Sequence, residues 1–569
     1  MQCDHSACAL CHRPSTRGPS SAAHACTWRY PMIRTLADYF DKTLENVPEK
    51  VALHFGKRSY SYREFDHVTR AIIQSLQDIG VQRQDRIVIC LGNVPETLMM
   101  FWAALRMGVC ASVIAPDQGA DKIRFIVADA EPKALVCQIE LANEIKSDEM
   151  FANGSVRLVA HCRDDAQRAL VPAAAHCLQD WLARSIDPAP FWAQPLSIDL
   201  ASIIFTSGST GQPKGVVMGH DNMVAACDSI TRYLGLEVND VILVVLPLSF
   251  DYGLYQAIMA VAVGATIVLE QGLLNPATVF KRIDEHLCTV MPIVPSLSTL
   301  LGEFRPRVTA SLASVRMVTN TGAALTSKHV DIVRQVFPDA QLFSMYGLTE
   351  CKRCTYLPPN DLARKPDSVG VAIPNTEIIV VDDQNQPCPP GVVGQLVVRG
   401  ATVMRGYWRR PELTARRIGV HPVYGDRALY TGDFGYLDED GYFFFVGRAD
   451  ETMKIRGRKV SPFEVETAIR AFPDVTDVAI APIPQPETAD DAFVAFVRGA
   501  FGDDFEDLME AEAHRRLAAY QRPLRFFHIH SLPTSTNGKI DRKRLVQMAQ
   551  ERLAVATPTL HAAGVAVGV

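Results

Sequence analysis

Short apolar runs alternate with longer helical patterns along most of this chain, and that alternation restricts its fold more than any other feature. Arg86-Ile-Val-Ile-Cys90, Ser202-Ile-Ile-Phe205 and Val241-Ile-Leu-Val-Val245 are rich in β-branched residues. Strands buried on both faces read this way, as in parallel sheets covered by helices. The architecture expected is therefore α/β with largely buried sheets. Near residue 375 the pattern changes. Glu377-Ile-Ile-Val-Val-Asp382 and Gly394-Gln-Leu-Val-Val-Arg399 flank the turn Pro387-Cys-Pro-Pro-Gly391, which predicts β-hairpins. From about 450 a smaller α+β unit is expected: a strand over 452–456, a helix over 461–471, strands over 477–481 and 493–498, and a helix near 504–519. Ser461, with Glu464 three positions on, reads as a capping box with Pro462 at the first helical position. No internal repeat is visible, and 151–200, rich in Ala, Asp and Pro, reads as a connector.

The stretch from Tyr252 to Leu269 carries no charge and reaches the length of a membrane span, about 18 residues. Asp251 borders it, Gln256 interrupts it, and Gly264-Ala-Thr divides a helix over 254–263 from a strand over 266–269, so no membrane span is expected. A length of 569 residues suggests several structural units, and 35 Gly with 35 Pro excludes a disordered or collagen-like chain. Lys+Arg of 57 against Asp+Glu of 63 provides no basic face, so nucleic acid is not an expected partner. Of 14 cysteines, Cys3, Cys8, Cys11 and Cys26 crowd the N-terminus and the rest are scattered, which suits reduced thiols in a cytoplasmic protein. Cys8-x-x-Cys11 has the spacing of half a zinc site, but no second Cys-x-x-Cys or His-x3-His follows at the usual distance, so zinc is not expected. Residues 1–31 lack apolar periodicity and read as a disordered leader or a mis-assigned start ahead of Met32; they contain no apolar core of a secretory signal.

Phe205-Thr-Ser-Gly-Ser-Thr-Gly-Gln-Pro-Lys-Gly-Val216 follows an apolar strand and concentrates glycines, hydroxyls and one lysine. Backbone N–H groups and hydroxyls in such a loop can surround phosphate oxygens while Lys214 adds positive charge. It is not a Walker A loop, because Pro213 precedes Lys214 and Gly215 follows it.

This loop resembles the signature of the adenylate-forming (AMP-binding) superfamily, which includes acyl-CoA synthetases, adenylation domains and luciferases. Further matches follow in the family's order: Asn320-Thr-Gly-Ala-Ala-Leu325, Met345-Tyr-Gly-Leu-Thr-Glu350, Gly406-Tyr-Trp408, Tyr430-Thr-Gly-Asp433, Gly447-Arg-Ala-Asp-Glu-Thr-Met-Lys-Ile-Arg-Gly457, Leu517-Ala-Ala-Tyr-Gln-Arg-Pro523 and Pro533-Thr-Ser-Thr-Asn-Gly-Lys-Ile-Asp-Arg542. The resemblance implies a large N-terminal domain over 32–449, built of packed α/β subdomains with a β-barrel-like subdomain. It also implies a small α+β lid domain over 450–548, followed by a tail over 549–569. The reaction implied is ATP-dependent activation of a carboxylic acid to an acyl-adenylate, then thioester formation with coenzyme A.

By the same resemblance, Thr206, Ser207, Gly208, Ser209, Thr210, Gly211 and Lys214 would hold the ATP phosphates, and Glu350 would bind Mg²⁺ with Thr349 beside the α-phosphate. Tyr346 would stack on adenine against Gly322-Ala323, and Asp433 would hold the ribose with Arg448 nearby. Lys539 would stabilise charge developing during adenylation. Lys454 and Gly457 would serve the second half-reaction, which the lid reaches by turning at the hinge Asp450.

Pro247-Leu-Ser-Phe-Asp-Tyr-Gly-Leu-Tyr255 sits where the family builds its acyl pocket, so Asp251, Tyr252 and Tyr255 are the substrate candidates. Amino-acid-activating members carry Phe-Asp there, the Asp pairing with the substrate's ammonium; the alternative for Asp251 is a helix N-cap. Cys351 and Cys354, beside Lys352 and Arg353, read as pocket-wall thiols. The residues after 546 are too few for a carrier domain, so the acyl group would pass in trans to coenzyme A or to a separate phosphopantetheinyl carrier protein. The overall pattern, including 246–255 and 346–359, also resembles the AMP-forming acyl-CoA ligases associated with exosortase A systems. Three readings remain: an acyl-CoA ligase, a stand-alone adenylation enzyme for an amino-acid-like substrate, and a non-catalytic nucleotide-binding relative.

Overall fold

The structure is a computed structural model that describes residues 33–186, 192–207, 212–272, 275–449, 451, 453–455, 458–483, 492–535 and 539–556. The N-terminal cysteine cluster and Met32 lie outside the described residues. The apolar runs build two large sheets. In the first, the strands run Gly406–Tyr407, Pro213–Gly219, Leu200–Ser207, Cys110–Val113, Arg86–Cys90, Ala134–Gln138, Arg157–His161 and Ala175–Cys177. The pairs from Leu200–Ser207 to the Ala175–Cys177 edge are parallel, whereas Leu200–Ser207 and Pro213–Gly219 form an antiparallel hairpin. The second sheet has a parallel centre, Gln341–Tyr346, Met317–Asn320, Val290–Ile293, Val241–Val244, Thr266–Leu269 and Val51–Phe55, with antiparallel strands at both edges.

Helix Pro95–Arg106 is buried along its whole length, so it has no polar face to give to water and belongs between layers. Its one cation, Arg106, is held by Asp66 at 2.7 Å. The uncharged stretch divides as its glycine demands: helix Asp251–Val263 ends at Gly264, whose φ of +75° is the left-handed cap, and strand Thr266–Leu269 follows. Among the described residues no helix is long and apolar enough to cross a membrane.

Two local expectations are corrected. Residues 151–200 are not a bare connector, for strands Arg157–His161 and Ala175–Cys177 extend the first sheet. They are short, and their Ala, His and Cys hide the β-branched signal. The capping box at Ser461 does not form: its Oγ donates to the carbonyl of Val446 at 2.9 Å instead, although Pro462 does open the helix.

Thr376–Val381, Gly394–Gly400, Arg427–Leu437, Ile418–Val420 and Phe443–Arg448 make an antiparallel five-stranded sheet, as the hairpin signals predict. The C-terminal part has its own three-stranded sheet, Val475–Ile483, Ala492–Gly499 and Phe526–His528. Val465, Ile469, Val478, Phe493 and Met509 pack one of its faces, and Val494, Phe496, Leu545 and Ala549 the other.

Candidate active site

The antiparallel register of the first sheet's hairpin sets Thr206 opposite Lys214 and Ser207 opposite Pro213. Strand Gly406–Tyr407 pairs with Val216 and Val217, and this brings the Tyr407 hydroxyl to the lysine. Lys214 Nζ donates to Tyr407 Oη at 2.9 Å and to Glu350 Oε1 at 3.0 Å, while Tyr407 donates to the same carboxylate oxygen at 2.7 Å. Burial would raise the pKa of Glu350, but the Lys214 ammonium and the Tyr407 hydroxyl outweigh it and hold the carboxyl below its ordinary range. Thr349 shares the turn with Glu350, whose carbonyl accepts from Met404 N–H at 2.7 Å. Among the described residues the buried Oγ1 of Thr206 has no hydrogen-bond partner.

Tyr346 ends strand Gln341–Tyr346 and donates its hydroxyl to Asp433, while its ring lies 6.0 Å from Phe443 and 6.1 Å from Phe445. Asp433 lies in strand Arg427–Leu437, in register with Arg448, whose Nε is 3.5 Å from its Oδ1. Gly322 adopts φ +88°, and a Cβ there would stand 3.1 Å from the Phe250 ring and 3.7 Å from Lys539 Cε. Ala323 turns its carbonyl to Asn320 Nδ2 at 3.0 Å. Lys539 Nζ lies 5.9 Å from the centre of the Phe250 ring. The residue as a whole is exposed. Protein crowding about its ammonium, with Arg448 adding, lowers its pKa, and Glu350 and Asp433 oppose this.

Helix Asp251–Val263, buried from Asp251 to Val261, lies next to Phe250. Phe250, not Asp251, takes the N-cap position, and no side chain caps the helix. The Asp251 carboxylate turns to Lys352 Nζ at 2.7 Å, and the two side chains are 7% and 0% exposed. Burial pulls the Lys352 pKa down and Asp251 opposes it. Lys352 has φ +65°, rare for a long side chain. A Cβ on Gly347 would lie 2.4 Å from the Lys352 carbonyl, so the turn requires glycine. Arg353 stacks over Tyr252 at 4.9 Å. Tyr252 bonds to Thr319, and Tyr255 is fully enclosed beneath the Lys352 ammonium. Cys351 and Cys354 are buried with their sulfurs 3.0 Å apart, and no cluster able to hold a metal ion occurs among the described residues.

Thr206, Ser207, Lys214, Thr349 and Glu350 thus meet at one end, Gly322, Tyr346, Asp433, Arg448 and Lys539 at the next, and Asp251, Tyr252 and Tyr255 beyond. Lys454 lies in strand Met453–Ile455. Gly208, Ser209, Thr210, Gly211, Asp450 and Gly457 lie outside the described residues. Sequence reasoning missed Tyr407, Lys352 and Arg353. The first stands in a matched motif, and the other two are charges placed directly after one.

A sequence profile of the family described as AMP-binding enzyme matches residues 40–408. The chain belongs to this family of AMP-binding enzymes. It is 30% identical over 505 residues to 4-coumarate–CoA ligase 2 of Solanum tuberosum, covering 86% of this chain and 88% of that protein. It is also 30% identical to tyrocidine synthase 2 of Brevibacillus parabrevis over 91% of this chain, which spans only 14% of that protein's length. Among solved structures, ATP-bound MatB from Rhodopseudomonas palustris superposes with a TM-score of 0.79 at 24% identity, covering 91% of this chain and 99% of that one. At that identity the likeness speaks for the fold alone. The AMP-binding enzyme has the α/β architecture expected from its apolar runs.

Proposed function

We propose that this AMP-binding enzyme is an AMP-forming acyl-CoA ligase: a carboxylate oxygen attacks the α-phosphorus of ATP and expels pyrophosphate, then the thiol of coenzyme A attacks the acyl carbon and expels AMP. The observation that carries this reading is the convergence of Lys214, Tyr407 and Glu350 beside the Thr206 hydroxyl, which has no partner among the described residues, with Lys539 beside Gly322 and Phe250. Bringing a carboxylate to a phosphate sets two anions together, so a site for it needs oriented cations.

Thr206, Ser207, Gly208, Ser209, Thr210, Gly211 and Lys214 are assigned to the phosphates, Tyr346 with Gly322 and Ala323 to the adenine, and Asp433 with Arg448 to the ribose. The donor set fits a magnesium ion: phosphates would compete for Lys214 and leave the ionised Glu350 carboxylate, with Thr349 beside it, to the cation. Mg²⁺ there would neutralise phosphate charge. Lys539 is assigned to the charge that develops in adenylation, and Lys454 and Gly457, on a lid turning at Asp450, to thioester formation. A reaction that draws on ATP and coenzyme A, in a chain of scattered free thiols, suits the cytoplasm.

A second reading, delivery of an amino-acid-like acyl group to a separate carrier protein, is favoured by the peptide synthetases among the relatives. The cations at Lys214, Arg448 and Lys539 speak against a non-catalytic relative. The test is pyrophosphate exchange over a panel of carboxylic acids, repeated with coenzyme A and assayed for thioester. Exchange followed by a CoA thioester is expected. Exchange without thioester favours the carrier reading, and no exchange with any acid overturns both.

A further inference from the structure

Two cations, Lys352 and Arg353, lie 1% and 4% exposed beside the start of helix Asp251–Val263. Buried cations are normally paired, because leaving one without a counter-charge costs several kcal/mol. Lys352 has its partner in Asp251. Arg353 has none: among the described residues no carboxylate reaches it. Its Nη1 donates to the Lys352 carbonyl at 3.0 Å, its face covers Tyr252, and its buried Nε makes no hydrogen bond. The buried trio Asp251, Lys352 and Arg353 therefore carries one net positive charge.

The place of that charge matters. Tyr252, beneath the guanidinium, lies in the first turn of helix Asp251–Val263, and the ring of the preceding Phe250 borders Gly322 and Lys539. Arg353 is thus linked through Tyr252 and the adjoining Phe250 to the point where Lys539 would meet the reacting carboxylate, and the helix N-terminus adds its own positive end. Lys352 meanwhile gives Asp251 the ammonium that an amino-acid substrate would otherwise supply. The left-handed backbone at Lys352 is held by this ion pair and by the fit of Gly347 under its carbonyl. Strain maintained in this way fixes where the next side chain, Arg353, goes.

We propose that Arg353 determines the specificity of the acyl pocket, and that the acid activated carries no α-ammonium but a second carboxylate on its acyl part, which Arg353 receives. This rests on the acyl-activating reading above. A carboxylate would take the free guanidinium N–H groups, a charge-assisted pairing for which arginine's planar fork is suited.

The experiment is pyrophosphate exchange with matched pairs, compact aliphatic and aromatic dicarboxylic acids against their monomethyl esters, on the intact protein and on Arg353→Met and Arg353→Lys. The intact protein should prefer the diacids by roughly 100-fold in kcat/KM, because a site built for a polar group rejects the analogue lacking it. Arg353→Met should bring the ratio within about threefold, and Arg353→Lys should retain part of it. The preference of the intact protein is itself decisive, so a variant that fails to fold does not shield the proposal. Monoesters or simple monoacids used as well as diacids, or an undiminished ratio in Arg353→Met, would overturn the pocket assignment and leave the acyl-activating reading standing. Exchange with no acid at all would overturn both together.

Discussion

Glu350 and Lys352 stand two residues apart on one turn, and each forms an ion pair with a residue far away in sequence, yet the two pairs are built differently. Lys214 and Glu350 meet at 3.0 Å with side chains 22% and 14% exposed, and a tyrosine hydroxyl shares the carboxylate. Asp251 and Lys352 meet at 2.7 Å with 7% and 0% exposed. Water and ligands can compete for the first pair. The second is closed to them, and its members can be lost only at the full penalty of a stranded charge. The difference suggests that the first pair is a resting arrangement of groups used in turnover and the second a permanent part of the pocket wall.

Four measurements sharpen or break this contrast. The largest effect on stability is expected for Lys352→Met, which strands Asp251 in the core and should cost about 3–5 kcal/mol by thermal or denaturant unfolding. Adding Asp251→Leu should recover most of that loss. A single variant as stable as the parent would show that the second pair is not sealed. Glu350→Gln should reverse the profile: pyrophosphate exchange falls roughly 10²- to 10³-fold, as for a lost electrostatic group, while stability moves by no more than about 1 kcal/mol.

The third measurement is acid titration. His220 is buried, accepts the Leu36 N–H at 3.2 Å, and is held by burial at a pKa of about 4 rather than 6.5. Above pH 6.5 it is neutral in both folded and unfolded states. Between 6.5 and about 4 only the unfolded chain takes up the proton, so stability should fall as pH falls, by at most about 3 kcal/mol. Because the Glu350 carboxyl is held below its ordinary range, this loss should come before the open pair breaks. A parent stability profile flat from pH 7 to 4, or a slope that His220→Asn leaves undiminished, would contradict this. The smallest effect is expected for Lys214→Ala. It should raise the KM for ATP about tenfold and barely move the unfolding midpoint, as removal of one partner from a half-open pair implies.

Much of this architecture is legible in the residues because the strongest signals are local. Arg86–Cys90 and Val241–Val244 are strands for reasons contained in a few β-branched side chains, and Gly264 ends a helix by its own conformational freedom. Strands Arg157–His161 and Ala175–Cys177 were harder to read, since they exist by pairing onto an edge that the first sheet presents. Ser461 has the spacing of a cap to Glu464, but a tertiary acceptor, the Val446 carbonyl, takes its hydroxyl. The site divides in the same way. Lys214, Glu350 and Asp433 are visible in contiguous motifs. The partnership of Asp251 with Lys352 joins segments a hundred residues apart, and no local pattern shows that the carboxylate is already engaged.

Gly347 fixes how this enzyme's lineage can change. With no room for a Cβ against the Lys352 carbonyl, position 347 admits only glycine as long as the turn carrying Glu350 and Lys352 keeps its path. New substrates must then be acquired by exchanging side chains on a constant frame, and the exchanges are coupled. A descendant that dropped Lys352 while keeping Asp251 would be unstable before it could be selective, so drift at this pocket should proceed by paired replacements and leave Glu350 where it is.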